Sequence, residues 1–383
     1  MARTALVLGA GLGGLVAAEE LRNLLPADDR IVVVERNGSH HFPPSLPWLM
    51  VGHRSEAAIS RSYERLDRRG IVFRQGEVTR IDPTRRSAEI DGQAIAADAL
   101  IVALGADYAD EAIPGLAQAG LSLYTLDGAH AIRQALATFK GGRIVILTAA
   151  PAYKCPAAPY EAALLVEASL RRGGGRSSAR IDFFAAEAAP MAVTGPQIGD
   201  AVRGMLQARG IGYFPEHQVT TVDAAARKLV FANEAEADFD LLLYVPPHRA
   251  PAAVREAGLC NESGWVPVDR HTLQTRFDGV HAIGDVTTIP LAMGRPLPKA
   301  GVFAHGQAEV VAHNIARMWT GKGEARQFQG AGMCFIETGE RRAGMGKGNF
   351  YAEPTPQVRM HAPGLLWHAG KIAYEKYWLW SRF

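Results

Sequence analysis

The first block of the chain without a polar residue, Ala5-Leu6-Val7-Leu8, runs into Gly9-Ala10-Gly11-Leu12-Gly13-Gly14. So short an apolar run, closed by glycines, predicts a strand buried on both faces. Helical spacing follows over Leu15 to Leu25, and a second apolar strand, Arg30 to Val34, ends on Glu35. The strand signal returns at Asp98 to Leu104, before Gly105-Ala106, and at Thr275 to Ile283, before Gly284-Asp285. A further strand, Arg143 to Thr148, precedes a helix over Tyr160 to Arg172, and an apolar helical pattern covers Val302 to Met318. Strands alternating with helices predict an α/β fold built on parallel sheets.

The glycine spacing adds chemistry to the first strand and helix. Gly9 permits a tight turn, Gly11 lets the backbone approach a pyrophosphate, and Gly14 allows the helix to pack closely on the strand. The helix N-terminus then faces the phosphates, and Glu35, about 20 residues past the motif, is placed to accept hydrogen bonds from a ribose hydroxyl. Asp285, emerging at a strand end, is placed to hydrogen-bond the ribityl chain of a flavin. In their order, these segments and the Gly105 turn resemble the FAD domain of two-dinucleotide-binding flavoproteins. That resemblance implies FAD held by Gly9, Gly11, Gly14, Glu35, Gly105, Gly284 and Asp285.

The second strand and helix unit lacks such a loop. Between Thr148 and Tyr160 stands Ala149-Ala-Pro151-Ala-Tyr-Lys154-Cys155-Pro156-Ala-Ala-Pro159. Prolines and a cysteine replace glycines there, which makes backbone approach to a pyrophosphate poor. This domain is expected to keep the fold and to have dropped NAD(P)H. Cys155, just ahead of a helix N-terminus and beside Lys154, is expected to be a nucleophilic thiol of lowered pKa. A second cysteine, Cys334 in Gly332-Met-Cys334-Phe-Ile-Glu337, lies beyond the FAD domain. The two cooperate only if the fold brings both to the flavin.

Composition narrows the class. Among 383 residues, 41 Lys and Arg nearly balance 39 Asp and Glu, and 48% are hydrophobic, which excludes a disordered chain and leaves no electrostatic case for nucleic acid. No apolar run approaches the roughly 18 to 20 residues that a spanning helix needs. A core strand directly after Met-Ala-Arg-Thr argues against a cleavable signal peptide. Three scattered cysteines form neither a disulfide framework nor a CxxC site, and the histidines show no HExxH or HxxxH spacing, so no metal is expected. The tail from Gly364 to Phe383 carries three of the six tryptophans, alternating with Lys371, Lys376 and Arg382, as in a segment lying on a membrane surface.

Lys154-Cys155-Pro156-Ala-Ala-Pro159-Tyr160, the Cys334 segment, Pro43-Pro44-Ser45-Leu46-Pro47-Trp48 and Pro298-Lys299-Ala300-Gly301 together resemble sulfide:quinone oxidoreductases. Several of these motifs are shared by the flavoprotein of flavocytochrome c sulfide dehydrogenase. The resemblance implies a Cys155–Cys334 redox pair on one face of the flavin, attacked by sulfide, with electrons passing two at a time to a quinone. It also implies a tail that docks on the membrane and shapes the quinone entrance, where Phe335, Tyr377, Trp378 and Trp380 are candidates. Many members carry a third cysteine early in the second domain. Leu121 to Asp127 has none, so a two-cysteine cycle is expected, and Cys260 is read as incidental. His40-His41-Phe42-Pro43 offers no thiol for flavin attachment, so FAD is expected to be noncovalent.

Lys299, ahead of the Val302 helix, is a candidate to bring positive charge to the pyrimidine edge of a reduced flavin. Glu161 and Glu337, near the cysteines in sequence, are candidates for proton transfer. The expected architecture is an FAD domain in two pieces, residues 1–115 and 242–318, and a degenerate second Rossmann-like domain over 116–241 that carries Cys155. A small membrane-facing C-terminal region over 319–383 carries Cys334. Three readings compete with a peripheral membrane sulfide:quinone oxidoreductase: a flavocytochrome c type dehydrogenase, a type II NADH:quinone dehydrogenase, and a non-enzymatic redox-sensing flavoprotein. The second of these needs the missing glycine loop. A homo-oligomer is left open.

Overall fold

Residues 2–383 are described by the computed structural model. β1 (Thr4–Leu8) is followed by α1 (Leu12–Leu24) and β2 (Arg30–Glu35), and Val72–Gln75 and Ala99–Val102 add β3 and β4. Ala5 to Leu8, Ile31 to Val34 and Ala99 to Val102 are buried throughout, as uninterrupted apolar runs must be when both faces of a parallel sheet are covered. The register sets Leu6 opposite Val32 on one side and Leu100 on the other.

β5 (Asp107–Tyr108) leads out of this unit. A second series follows: β6 (Gly120–Ser122), α2 (Leu126–Thr138), β7 (Gly142–Thr148), α3 (Ala158–Arg172), β8 (Ala179–Ala185), β9 (Ile211–Phe214) and β10 (Leu241–Val245). β11 (His248–Arg249) then returns antiparallel to β5. The second sheet is parallel, in the order β6-β10-β7-β8-β9. β12 (Val280–Ala282) completes the first, in the order β12-β4-β1-β2-β3. The expected return to the first domain at residue 242 is therefore corrected: Leu241 to Val245 pairs along β7 and belongs to the second sheet. Pro246-Pro247, which cannot donate to a ladder, ends that strand.

α4 (Gly301–Thr320) packs along α1 and turns Ala304, Ala308, Val311 and Ile315 inward at helical spacing. The chain ends in an antiparallel sheet of β13 (Ala331–Gly339), β14 (Arg342–Asn349) and β15 (Gln357–Gly364), then α5 (Leu365–Ser381). This region bridges the two domains. β13 packs on α3, and Ile336 joins the core of the second domain, while Trp378 and Leu379 of α5 join the core of the first. Among the described residues, no helix is long and apolar enough to cross a membrane.

Candidate active site

The C-terminal ends of the first sheet form a cradle. Gly9 has φ +97°, and a Cβ there would sit 2.5 Å from the Ala103 carbonyl oxygen, so only glycine fits. A Cβ at Gly14 would lie 1.9 Å from the Gly9 carbonyl oxygen, and its absence lets α1 start tight against β1. Gly11 faces open space and caps α1 without a side chain on the helix amides, leaving those donors to an anion. Glu35 turns back on the loop, its Oε2 accepting from Ala10 N–H at 3.1 Å.

Gly105 closes β4. Beyond β12, the Gly284 N–H donates to Gln307 Oε1 at 2.7 Å. Asp285 Oδ1 is buried without a hydrogen-bond partner, and burial holds this carboxyl above its ordinary range against the pull of Lys154 and Lys299. An orphaned carboxyl oxygen and an open glycine turn, at the same end of a parallel sheet, fit the ribityl hydroxyls and pyrophosphate of FAD. Lys299 is close by, but its ammonium is not a free point charge. It donates to the carbonyls of Asp285 at 2.7 Å and Thr287 at 3.0 Å, and sits 3.4 Å from the centre of the Trp265 ring. Burial lowers its pKa to about 8.

In the second domain the equivalent acid is already occupied. Glu187 follows β8 much as Glu35 ends β2, and it accepts from the hydroxyls of Thr148 at 2.7 Å, Tyr153 at 2.5 Å and Tyr160 at 2.8 Å. The loop that would cradle a second pyrophosphate thus folds its own tyrosine onto the acid.

Cys155 leaves this loop with a left-handed φ of +49°. β13 carries Cys334 opposite Gly346 and lies on α3, and there the two thiols are near enough for each to shift the other's acidity. Both cysteines are free and half-buried. The neighbouring Cys334 thiol, then burial, push the Cys155 thiol well above its ordinary range, whereas the Cys155 thiol lowers Cys334. The expectation of an acidic Cys155 beside Lys154 is therefore corrected: Cys334 is the more acidic thiol. Lys154 turns toward Tyr108, 5.0 Å from the ring centre, and the ammonium that lowers both sulfurs is that of Lys371 on α5.

Carboxylates and their partners complete the site. Lys371 is buried, ion-paired with Glu161 of α3 and 4.5 Å from the centre of the Trp48 ring. Burial raises the Glu161 carboxyl while Lys371 pulls it down. Glu337, also buried, accepts from His368 Nδ1 with both oxygens at 2.9 Å.

α5 departs most from the sequence reading. Lys371 and Arg382, expected among lipid headgroups, are buried against Glu161 and Glu19. Trp378, expected at the quinone entrance, is only 1% exposed. Its Nε1–H donates to His40 Nε2 at 3.2 Å, and its ring packs between Phe42 and Tyr374. Tyr377 and Trp380 do face outward, 57% and 78% exposed, and Phe335 packs against α5 at Gly370. Cys260 lies against the core of the first domain, apart from the pair. Sequence reasoning missed His368, Lys371 and Trp48 as site residues. A signal was present: His368, Lys371, Glu375, Trp378 and Arg382 recur every three or four positions, the spacing of one helical face.

A family model, pyridine nucleotide-disulphide oxidoreductase, matches residues 3–308. The chain belongs to this family. Members of the pyridine nucleotide-disulphide oxidoreductase family are FAD-binding flavoproteins, so this chain is an FAD-binding oxidoreductase. Mouse mitochondrial sulfide:quinone oxidoreductase is 26% identical over 364 residues, which cover 91% of this chain and 78% of the relative. The sulfide-quinone reductase of Aquifex aeolicus is 27% identical over 407 residues, covering 100% and 91%. The crystal structure of the Aquifex aeolicus sulfide:quinone oxidoreductase superposes with a TM-score of 0.89 at 25% identity, covering 100% of this chain and 91% of that one.

Proposed function

We propose that this chain oxidises sulfide at a Cys155–Cys334 disulfide and passes the two electrons through FAD to a quinone. The observation that carries the reading is the meeting of two thiols from distant segments where β13 lies on α3, with the buried Lys371 ammonium acting on both. The names of the mouse and Aquifex relatives support the same substrates.

Hydrosulfide attacks one sulfur of the disulfide. A new S–S bond forms to that cysteine, the Cys155–Cys334 bond breaks, and the other sulfur leaves as a thiolate. Lys371 stabilises the thiolate by charge, while Glu161 and Glu337 take up and return protons. FAD, when bound, supplies a two-electron acceptor and donor. Over the cycle hydrosulfide loses two electrons and its sulfur leaves at the zero-valent level. The quinone gains those electrons and two protons, one from hydrosulfide and one from solvent. The outer face of α5, with Leu366, Tyr377 and Trp380 exposed, is the surface proposed to rest on the membrane that holds the quinone.

The NADH-linked alternative is disfavoured by Glu187, whose carboxylate is taken by three of the protein's own hydroxyls, from Thr148 of β7, Tyr153 of the loop and Tyr160 of α3. Anaerobic addition of sulfide or NADH to the purified flavoprotein, followed by a soluble quinone, tests the proposal. Sulfide is expected to bleach the flavin and quinone to restore it. Bleaching by NADH alone would sink the reading.

A further inference from the structure

Cys155 sits in a left-handed backbone conformation, unfavourable for a residue with a Cβ, and such a conformation persists only where its surroundings over-determine it. Its N–H donates to the Lys299 carbonyl of the first domain at 2.6 Å. Its carbonyl accepts from Ala158 N–H at 2.9 Å and from the Tyr124 hydroxyl at 3.2 Å. The same Tyr124 hydroxyl donates to the Lys154 carbonyl at 2.7 Å.

Tyr124, between β6 and α2, is itself fixed. The Tyr108 hydroxyl donates to its carbonyl at 2.9 Å, and the His248 ring stands edge-on to the Tyr124 ring with centres 5.6 Å apart. Burial, then the neighbouring Cys155, hold the phenol well above its ordinary range, so its hydroxyl stays a donor.

We propose that Tyr124 is a positioning residue for the sulfur chemistry: its hydroxyl, shared by the carbonyls of Lys154 and Cys155, locks Cys155 in the left-handed conformation that aims its sulfur at Cys334. The inference rests on the reading of Cys155 and Cys334 as a redox pair. A disulfide demands narrow geometry at both sulfurs, and a thiol held in place meets its partner at a high effective concentration. Tyr124 therefore favours the disulfide over the dithiol without touching either sulfur.

The test equilibrates the holoprotein with mixtures of reduced and oxidised dithiothreitol, followed by acid quench, thiol alkylation and mass measurement. Each reduced dithiothreitol gives two electrons and two protons to the protein disulfide and closes its own ring. Tyr124→Phe is expected to keep FAD and melting temperature while moving the equilibrium about three- to fivefold toward the dithiol, part of the worth of one hydrogen bond, because the bond is also made with both thiols free. Tyr108→Phe, which removes the hydroxyl that donates to the Tyr124 carbonyl but leaves the donor to the Cys155 carbonyl in place, is expected to shift the equilibrium less, within about twofold of the parent. An unchanged equilibrium in Tyr124→Phe, an equal shift in Tyr108→Phe, or loss of FAD from Tyr124→Phe would each overturn the proposal. If the parent forms no Cys155–Cys334 disulfide at any mixture, the redox-pair reading itself fails.

Discussion

Lys371 of α5 and Glu161 of α3 form a buried ion pair beside the Cys155 and Cys334 thiols. The pair joins the C-terminal helix to the helix that follows Cys155, so the sulfur site is assembled only when the last helix is docked. Lys371 is also the group that offsets the burial of whichever sulfur becomes a thiolate. One side chain thus serves both assembly and electrostatics, and the two roles separate experimentally.

Lys371→Met leaves the Glu161 carboxylate buried without a cation, a change that costs about 3–5 kcal/mol when a buried pair is broken. The urea midpoint should fall accordingly. Lys371→Met/Glu161→Gln should recover much of that loss, since neither charge is then unpaired. In the single variant the pH profile of Cys334 alkylation should move to higher pH, because the stabilising ammonium is gone. A profile identical to the parent would remove Lys371 from the sulfur chemistry.

The asymmetry within the pair gives a second expectation. In reduced protein Cys334 should react with iodoacetamide at lower pH than Cys155, because the neighbouring thiol and burial raise Cys155 while the neighbouring thiol lowers Cys334. Cys155→Ser and Cys334→Ser should both retain the yellow colour of FAD, since neither residue belongs to the glycine cradle, and both should lose bleaching by sulfide. Unchanged bleaching rates in the two variants would exclude the disulfide mechanism.

What could be read from the sequence follows the range of the interactions. β1, α1 and β2 were legible because their signals are local: an apolar run, glycines needed at fixed positions, an acid at a strand end. Cys155 and Cys334 were suspect as a pair through family likeness, but which thiol is acidic depends on Lys371, a residue from another element. Adjacency in sequence suggested Lys154, whose side chain turns away to Tyr108. In the same way β10 reads as a return to the first domain until its pairing with β7 is seen, since an apolar run does not name its sheet. The tail composition suggested a membrane segment, while the spacing of His368, Lys371, Glu375 and Trp378 encoded a buried face that composition cannot reveal.

His40 makes stability depend on pH. Burial, with His41 adding to it, lowers its pKa from 6.5 to about 3, so the folded protein keeps it neutral while the unfolded chain protonates it below pH 6.5. The unfolded state then binds more protons between about pH 6.5 and 3, and stability falls as pH drops through that window. One such group is worth about 1.4 kcal/mol per pH unit inside it. His40→Gln, whose amide oxygen can still accept from Trp378, should lose this component. Urea unfolding at pH 7, 6 and 5 should show the parent losing about 2 kcal/mol more than the variant between pH 7 and 5. Parallel curves would mean that His40 is protonated in the fold.

The outer face of α5 separates docking from folding. Truncating the tail would remove Lys371 and Trp378 and so unfold the site, which makes it a poor test of membrane contact. Leu366 and Trp380 are instead 71% and 78% exposed, and exposed substitutions usually change stability by no more than about 0.5 kcal/mol. Leu366→Ser and Trp380→Ser should therefore keep FAD content and melting temperature. Each large apolar side chain transferred from water is worth about 1.5–3 kcal/mol, so each variant should bind sedimented liposomes about tenfold or more weakly than the parent. Turnover with a water-soluble quinone should be unaffected, because neither residue contacts the thiols, whereas turnover with a liposome-held quinone should fall with binding. Equal liposome binding by the parent and both variants would show that this face meets something other than lipid.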